Sequence, residues 1–276
     1  MREFSLGSHA RAAGYRLRGF DVIDSTNSQA VAAAQAGDPG GLWFAALQQT
    51  AGRGRRGRPW QSPHGNLAAT LLIVPDADPS VSATLGFVAG VALNQALSAL
   101  LPQGYVKLGL DGADSLEGQG RIALKWPNDV LADGAKLAGI LLEAIRLPDG
   151  RQAVAIGFGV NVVAAPTGTP YPATSLQDLG VSLGPEDVFE ALTDSWVEVF
   201  RLWNEGRGID AVLARWRGCA AGIGAPVAVQ QDGETLKGIF ETVDDAGRLI
   251  VRSDDDRRIA ITAGDVHFGA TASARS

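Results

Sequence analysis

The 276-residue chain has a single cysteine, Cys219, which excludes an internal disulfide and a cysteine-rich zinc site and fits a reduced compartment. It also lacks surplus positive charge. Its 24 Lys and Arg face 30 Asp and Glu, giving a formal net charge of −6. A general nucleic-acid binder needs excess cations to displace phosphate counterions. Between Met1 and Arg18 there is no continuous apolar run, so no secretory signal is expected. The longest apolar stretch, Val81 to Leu101, is interrupted by Ser82, Thr84, Asn94, Gln95 and Ser98. It reads as a buried core helix rather than a membrane span. There is no fixed-period repeat and no low-complexity tract. Hydrophobic residues make up 46% of the chain, enough for a real core, and the length suits one sizeable domain plus a small one.

Asp24-Ser25-Thr26-Asn27 offers polar caps ahead of the alanine-rich Ser28 to Ala36, and Gly37 follows, so a helix is expected there. Leu42 to Leu47 and Leu67 to Val74 read as strands, and the glycine- and arginine-rich Gln48 to Gly65 between them as a loop. Thr84 to Leu101 reads as a helix stopped by Pro102. Gln103 to Gly120 is an aspartate- and glycine-rich surface excursion. Ile122 to Trp126, Lys136 to Ile145 and Ala153 to Val162 read as strands, separated by turn signals at Pro127-Asn128-Asp129, Asp133-Gly134 and Asp149-Gly150. Two helical patterns follow, Glu186 to Trp203 and Ile209 to Arg217. Beyond Gly218 come short strands at Val227–Gln231, Leu236–Val243, Leu249–Arg252 and Arg257–Ile261. These suggest a small barrel-like domain of about fifty residues. The expected fold is therefore α+β: a mixed, mostly antiparallel sheet with packing helices over residues 1–219, and a small β domain over residues 220–276.

Four blocks carry chemistry. In Gln49 to Trp60, Arg53, Arg55, Arg56 and Arg58 alternate with Gly52, Gly54 and Gly57. Glycine lets backbone approach a ligand closely, and arginine forks match phosphate and carboxylate oxygens. Taken alone, the run is split evenly between a phosphate loop on one side and a solvated basic loop or a nucleic-acid patch on the other. It is not a Walker loop, since Gly-x4-Gly-Lys-Ser/Thr is absent. Lys125-Trp126-Pro127-Asn128-Asp129 delivers a lysine from a strand and then presents Asn128 and Asp129 on a turn. Lys136 to Glu143 places a lysine at the start of an apolar strand with Gly139 inside it, a sign of close approach by a ligand or backbone. Gly157-Phe158-Gly159-Val160-Asn161 puts two strand glycines beside Asn161, which suits a wall against a flat ligand. It lacks the completion that a dinucleotide fingerprint requires. No Lys-x-Asp-Gly motif is present, which disfavours a covalent lysyl-adenylate.

In this order, with Asp24 to Asn27 ahead of them and Ala173 to Leu176 behind, the blocks resemble the biotin–protein ligases over about residues 20 to 180. The small C-terminal domain resembles that family's SH3-like cap. The resemblance implies a class II synthetase-like fold and a two-step reaction. Biotin and ATP give biotinyl-5′-adenylate and pyrophosphate, and biotin then passes to a lysine of a biotin carboxyl carrier domain. It implies that Ser25, Thr26, Asn27, Gln49, Arg53, Gly54, Arg55, Lys136 and Gly139 contact biotin. It places Arg53, Arg55, Arg58, Trp60, Lys125, Asn128, Lys136, Gly159 and Asn161 on the adenylate side, with Lys136, Arg55 and Lys125 as the catalytic set. Mg2+ is expected on the polyphosphate, with Asp129 as candidate ligand.

Many bacterial members carry a winged-helix DNA-binding domain in front. Here the matching blocks begin near residue 20, so neither DNA binding nor a repressor role is expected. No membrane association is expected either. A cytoplasmic location is, and a homodimer through the sheet edge stays open. The competing readings are a lipoate- or octanoate-transferring relative and a nucleic-acid binder that uses the arginine loop.

Overall fold

A computed structural model of the chain describes residues 3–101, 122–169, 171–231 and 234–268. The 103–120 excursion lies outside the described residues. A seven-stranded sheet forms from β1 (Arg16–Ile23), β2 (Leu42–Gln49), β3 (Leu67–Ile73), β4 (Ile122–Lys125), β5 (Asp129–Ala132), β6 (Ala135–Arg146) and β7 (Gln152–Val160), in the order β1-β2-β3-β7-β6-β5-β4. Only β1 and β2 pair in parallel, joined by the crossover helix α2 (Thr26–Gln35); every other pairing is antiparallel. The mixed, mostly antiparallel sheet is the expected one. Five further helices are α1 (Ser8–Ala12), α3 (Pro79–Ser82), α4 (Leu85–Leu100), α5 (Pro185–Trp203) and α6 (Ile209–Gly218).

The two faces of the sheet have different fates because strand side chains alternate. One face packs on α4, α5 and α6. Leu67, Ala69, Leu71, Ile140, Ile156 and Phe158 meet Val88, Leu93, Phe189 and Trp196 in one core. The run Pro79–Leu100 is long and apolar enough to cross a membrane by length and composition alone. In the fold α4 is instead the central core helix, buried along its length from Val88 to Leu97 except at Gln95. Most of α5's helix signal is its single apolar stripe. Pro185 opens it, Asp187 accepts from the Gly184 amide at 3.0 Å, and Asn204 closes it in the left-handed region at φ 47. The opposite face is covered by α2 at one end only, where Ala30 and Ala34 pack on Leu42, Phe44, Leu72 and Ala155. The rest of that face is open and floors the site.

The C-terminal unit is an antiparallel sheet of β8 (Pro226–Gln231), β9 (Glu234–Val243), β10 (Leu249–Arg252), β11 (Arg258–Ile261) and β12 (Asp265–Phe268), in the order β11-β10-β9-β8-β12, as expected for a small SH3-like barrel. It is not a loose appendage. Val227, Phe240, Val243 and Leu249 belong to the same apolar core as α4 and α6. The buried Trp126 indole donates to the Gly247 carbonyl at 3.1 Å, and Arg217 Nε donates to the Val243 carbonyl at 2.7 Å. Ala221 N donates to Leu124 O, and Leu124 N to Cys219 O, continuing the β4 edge into the connection.

Among the described residues, three strands and two short helices, α1 and α3, escaped the sequence reading. β1 is a largely exposed edge strand with Arg16, Arg18, Gly19 and Asp21 facing solvent, so its apolar alternation is weak. β5 and β12 are four residues each, and β5 lies where turn signals dominate. α1 is a five-residue turn of helix.

Candidate active site

The open face of the sheet floors a cavity of about 550 Å³. Gly139, Gly157 and Gly159 form much of its base, with Gly139 and Gly159 directly opposite each other on β6 and β7. Each glycine admits a particular neighbour. A Cβ on Gly157 would sit 2.3 Å from Asn27 Oδ1, and one on Gly159 would sit 2.5 Å from the Trp60 indole. A Cβ on Gly139 would meet the same indole at 3.2 Å. The flat group against the glycine wall is therefore the chain's own Trp60.

One end of the cavity is a hydrogen-bonded polar network. The Ser25 hydroxyl caps α2 by accepting from the Ser28 amide at 3.4 Å. This points the first turn of α2 at the glycine floor. Gln49 Oε1, at the end of β2, accepts from the Thr26 amide at 2.8 Å and lies 3.0 Å from the Thr26 hydroxyl. The buried Thr70 hydroxyl on β3 is 2.8 Å from Thr26 Oγ1 and 2.6 Å from Asn27 Oδ1. Asn27 Nδ2 donates to Glu143 Oε2 at 2.7 Å, and Arg53 approaches the other Glu143 oxygen at 3.5 Å.

The other end is cationic. Five Lys or Arg side chains line the cavity (Arg53, Arg55, Arg58, Lys125 and Lys136) against two carboxylates, Asp129 and Asp265. On a chain of net charge −6 this concentration selects anions. Lys136 is fixed twice. Its backbone N–H donates to Pro172 O at 2.8 Å and its carbonyl accepts from the Thr174 amide at 3.0 Å. Its Nζ pairs with Asp129 at 2.7 Å and lies 5.4 Å from the ring centres of both Trp60 and Tyr171. Lys125 Nζ sits between Phe268 at 5.8 Å and Tyr171 at 6.0 Å. Burial among these rings lowers the Lys125 pKa. Asp129 opposes the shift, Lys136 adds to it and Asp265 opposes it.

The arginine–glycine run folds into a narrow hairpin. Gly54 N donates to Arg58 O at 2.7 Å, and Trp60 N to Gly52 O at 2.9 Å. Arg55 points inward. Its Nη1 donates to Asn128 Oδ1 at 3.1 Å, and both terminal nitrogens approach the Gly264 carbonyl at 3.4–3.5 Å. Burial lowers the Arg55 pKa, with Asp265 the main opposing charge. Arg56 and Arg58 turn to the C-terminal unit and share one oxygen of Asp265, at 3.1 and 2.7 Å. Burial disfavours the Asp265 anion, but Arg58, Arg56 and Arg55 outweigh it and hold its pKa below the ordinary carboxylate value.

The expected residues thus assemble around one cavity, with one exception. Asn161 lies behind the wall, bordering a smaller 90 Å³ space next to Trp60 and Tyr171. Its Nδ2 donates to Thr174 O at 3.1 Å and Lys136 O at 3.4 Å, so it holds the segment that positions Lys136. Asn128 is also tied into the frame, donating to the Ile140 carbonyl at 2.7 Å. Sequence reasoning assigned no role to Thr70, Glu143, Tyr171, Asp265 or Phe268. Thr70 had a readable signal, a lone hydroxyl inside an otherwise apolar strand. Asp265 and Phe268 had none, because nothing local links β12 to Arg58 or Lys125, both more than 100 positions earlier.

Among the described residues no group of three or more His, Cys, Asp or Glu side chains could hold a metal ion. Asp129 is occupied by Lys136. The donor set suits a cation carried in on polyphosphate oxygens, with at most one carboxylate from the chain.

A family model for the biotin/lipoate A/B protein ligase family matches residues 19–161, and one for the biotin protein ligase C-terminal domain matches residues 222–269. The chain is 38% identical over 255 residues to a biotin–[acetyl-CoA-carboxylase] ligase of Paracoccus denitrificans, covering 89% of this chain and 98% of that one. It is 33% identical over 271 residues to the enzyme of the same name from Mycobacterium tuberculosis, covering 96% and 94%. In fold it resembles a biotin protein ligase from Aquifex aeolicus solved with biotin and ATP. The TM-score is 0.71 at 20% identity, over 92% of this chain and 99% of that one.

Proposed function

This chain belongs to the biotin/lipoate A/B protein ligase family, and from that premise we propose that it is an ATP-dependent biotin–protein ligase. The observation that supports this most directly is the pairing, in one cavity, of the Thr26–Asn27–Gln49 hydrogen-bonding network with a group of Lys and Arg side chains. Biotin needs both: an amide-like ureido group at one extremity and a carboxylate at the other. Thr26, Asn27 and Gln49 supply matched donors and acceptors at the first. Lys136, Arg53 and Arg55 meet the second.

In the first step a biotin carboxylate oxygen attacks the α-phosphorus of ATP, the bond to the β-phosphate oxygen breaks, and pyrophosphate leaves. Two anions must be brought together, which costs repulsion. Lys136, Arg55 and Lys125 offset it and stabilise charge developing on the α-phosphate. Trp60 on its glycine seat gives the adenine a flat apolar neighbour, and Gly159 allows the indole to lie that close. Mg2+ carried by the ATP phosphates would neutralise part of their charge, and Asp129 is the carboxylate of the chain that would help hold it. In the second step a lysine amine of the acceptor attacks the acyl carbon and AMP leaves. Neither step uses a nucleophile from this chain.

The acceptor is the biotin carboxyl carrier domain of a biotin-dependent carboxylase. We divide the chain into a ligase domain, residues 1–219, and the small β domain, 220–276. We place the enzyme in the cytoplasm without a DNA-binding role, and take the exposed edge strand β1 as the surface on which two copies would pair. Titration calorimetry with biotin and lipoate, alongside pyrophosphate release with ATP and Mg2+, tests the reading. Biotin should bind and drive release. Lipoate binding without biotin binding would overturn the choice of substrate, and RNA binding with a steep salt slope but no release would overturn the enzyme.

A further inference from the structure

The arginine–glycine hairpin is fastened at its tip to the C-terminal unit through one side chain. Arg58 Nη2 and Arg56 Nη1 converge on Asp265 Oδ2, and the neighbouring Gly264 carbonyl accepts from Arg55. Asp265 is largely shielded, with 22% of its side chain exposed, whereas Arg56 and Arg58 are half exposed or more. Arg56 is also held in the left-handed region, at φ 56 and ψ 28, where a non-glycine residue is strained. A single carboxylate oxygen that draws two guanidinium groups from this hairpin is the kind of anionic acceptor a phosphate oxygen also offers.

We propose that Asp265 is a resident stand-in for polyphosphate: Arg56 and Arg58 leave it for the β- and γ-phosphates of ATP, and return to it once pyrophosphate has gone. This rests on the ligase reading. The exchange is between like partners, so the hairpin is never without an anion and does not depend on product to stay folded. Engagement of Asp265 after pyrophosphate leaves draws the hairpin, with inward-pointing Arg55, back against β12. The labile adenylate is then covered while the acceptor lysine is awaited. Asp265 acts here as a positioning residue, through the arginines, and touches no reacting atom.

Two consequences have opposite signs, and general damage to the site would not produce that. Asp265→Asn removes a competitor and a repelling charge, so inorganic pyrophosphate with Mg2+ should bind more tightly, by about three- to tenfold. The same variant loses the closing contact, so biotinyl-adenylate should escape faster by a similar factor. Arg58→Gln breaks the contact from the other side. It should also speed adenylate escape but weaken pyrophosphate binding. Asp265→Glu should restore both quantities toward the parent values. The experiment is calorimetry with inorganic pyrophosphate on the full chain and its variants, together with the rate at which biotinyl-adenylate is lost to solution. Tighter pyrophosphate binding with faster escape in Asp265→Asn supports the exchange. Unchanged or weaker pyrophosphate binding, or unchanged escape, overturns it. Should the parent chain form no adenylate, the ligase reading fails, and the pyrophosphate arm still decides whether Asp265 competes for the arginines.

Discussion

Asn27 on α2 donates to Glu143 on β6 at 2.7 Å, which locks the first turn of the helix to the sheet over Gly157. Glu143 also faces Arg53 at 3.5 Å, so one carboxylate orients a residue from each wall of the proposed biotin end. Glu143→Ala leaves the nearly buried Asn27 amide without its acceptor, at a cost of about 1–2 kcal/mol, or roughly tenfold in biotin affinity. Glu143→Gln keeps an acceptor and should retain most of the binding. Biotin calorimetry in the absence of ATP checks both. Equal affinity in all three proteins would remove Glu143 from the site.

Gly159→Ala places a methyl 2.5 Å from the Trp60 indole, and the contact is with the ring body rather than a flexible tip. The indole must leave its seat. Overpacking of this kind costs about 1–3 kcal/mol. The expected outcome is a raised KM for ATP with a smaller change in biotin affinity, since the indole packs over Gly139 and Gly159 whereas Asn27 packs over Gly157. A KM for ATP at the parent value would show that the indole does not border the nucleotide.

Lys136→Ala should slow adenylate formation by about 100-fold, the typical loss for one well-placed donor at a developing charge. It also strands the Asp129 carboxylate, so Lys136→Arg, which keeps the charge, is the cleaner variant. Single-turnover pyrophosphate release separates this from binding. A loss confined to biotin KM in both variants would make Lys136 a binding residue only.

Acid should release the hairpin from the C-terminal unit. The folded-state pKa of Asp265 lies below its ordinary value because the three arginines outweigh burial. Its contribution is therefore fully present above the unfolded value of about 3.9, and is lost as pH falls through the lower folded value. The arginines are half exposed, which limits the contribution to about 0.5–1 kcal/mol. Thermal unfolding of the parent and Asp265→Asn should differ at pH 7, and the difference should begin to shrink as pH falls below about 4. No difference at pH 7, or one that grows below pH 4, would contradict the assignment.

Much of the site was legible because its parts are local. The helix cap at Ser25, the arginine–glycine alternation, and the lysines opening a turn and a strand are all short-range patterns, and each places its side chains at the cavity. What was not legible depends on distance along the chain or on edges. Asp265 and Phe268 reach Arg58 and Lys125 only after the small β domain packs on α6 and β4. Tyr171 arrives on a loop with no periodicity. β1 is an edge strand whose exposed charges hide its alternation, so the one parallel pairing, β1 with β2, was not foreseen. Asn161 shows a different limit. Its place after two strand glycines suggested a wall against ligand, but the side chain turns back to hold the carbonyls of Lys136 and Thr174.

Joining of biotin to a carrier-domain lysine through an adenylate is checked by incubating the chain with a biotin carboxyl carrier domain, biotin, ATP and Mg2+, and reading the product by streptavidin blot and intact mass. One biotin per carrier domain is expected, formed only when ATP is present and abolished when the target lysine is replaced by arginine. An unlabelled carrier domain under these conditions, or labelling that proceeds without ATP, would contradict it.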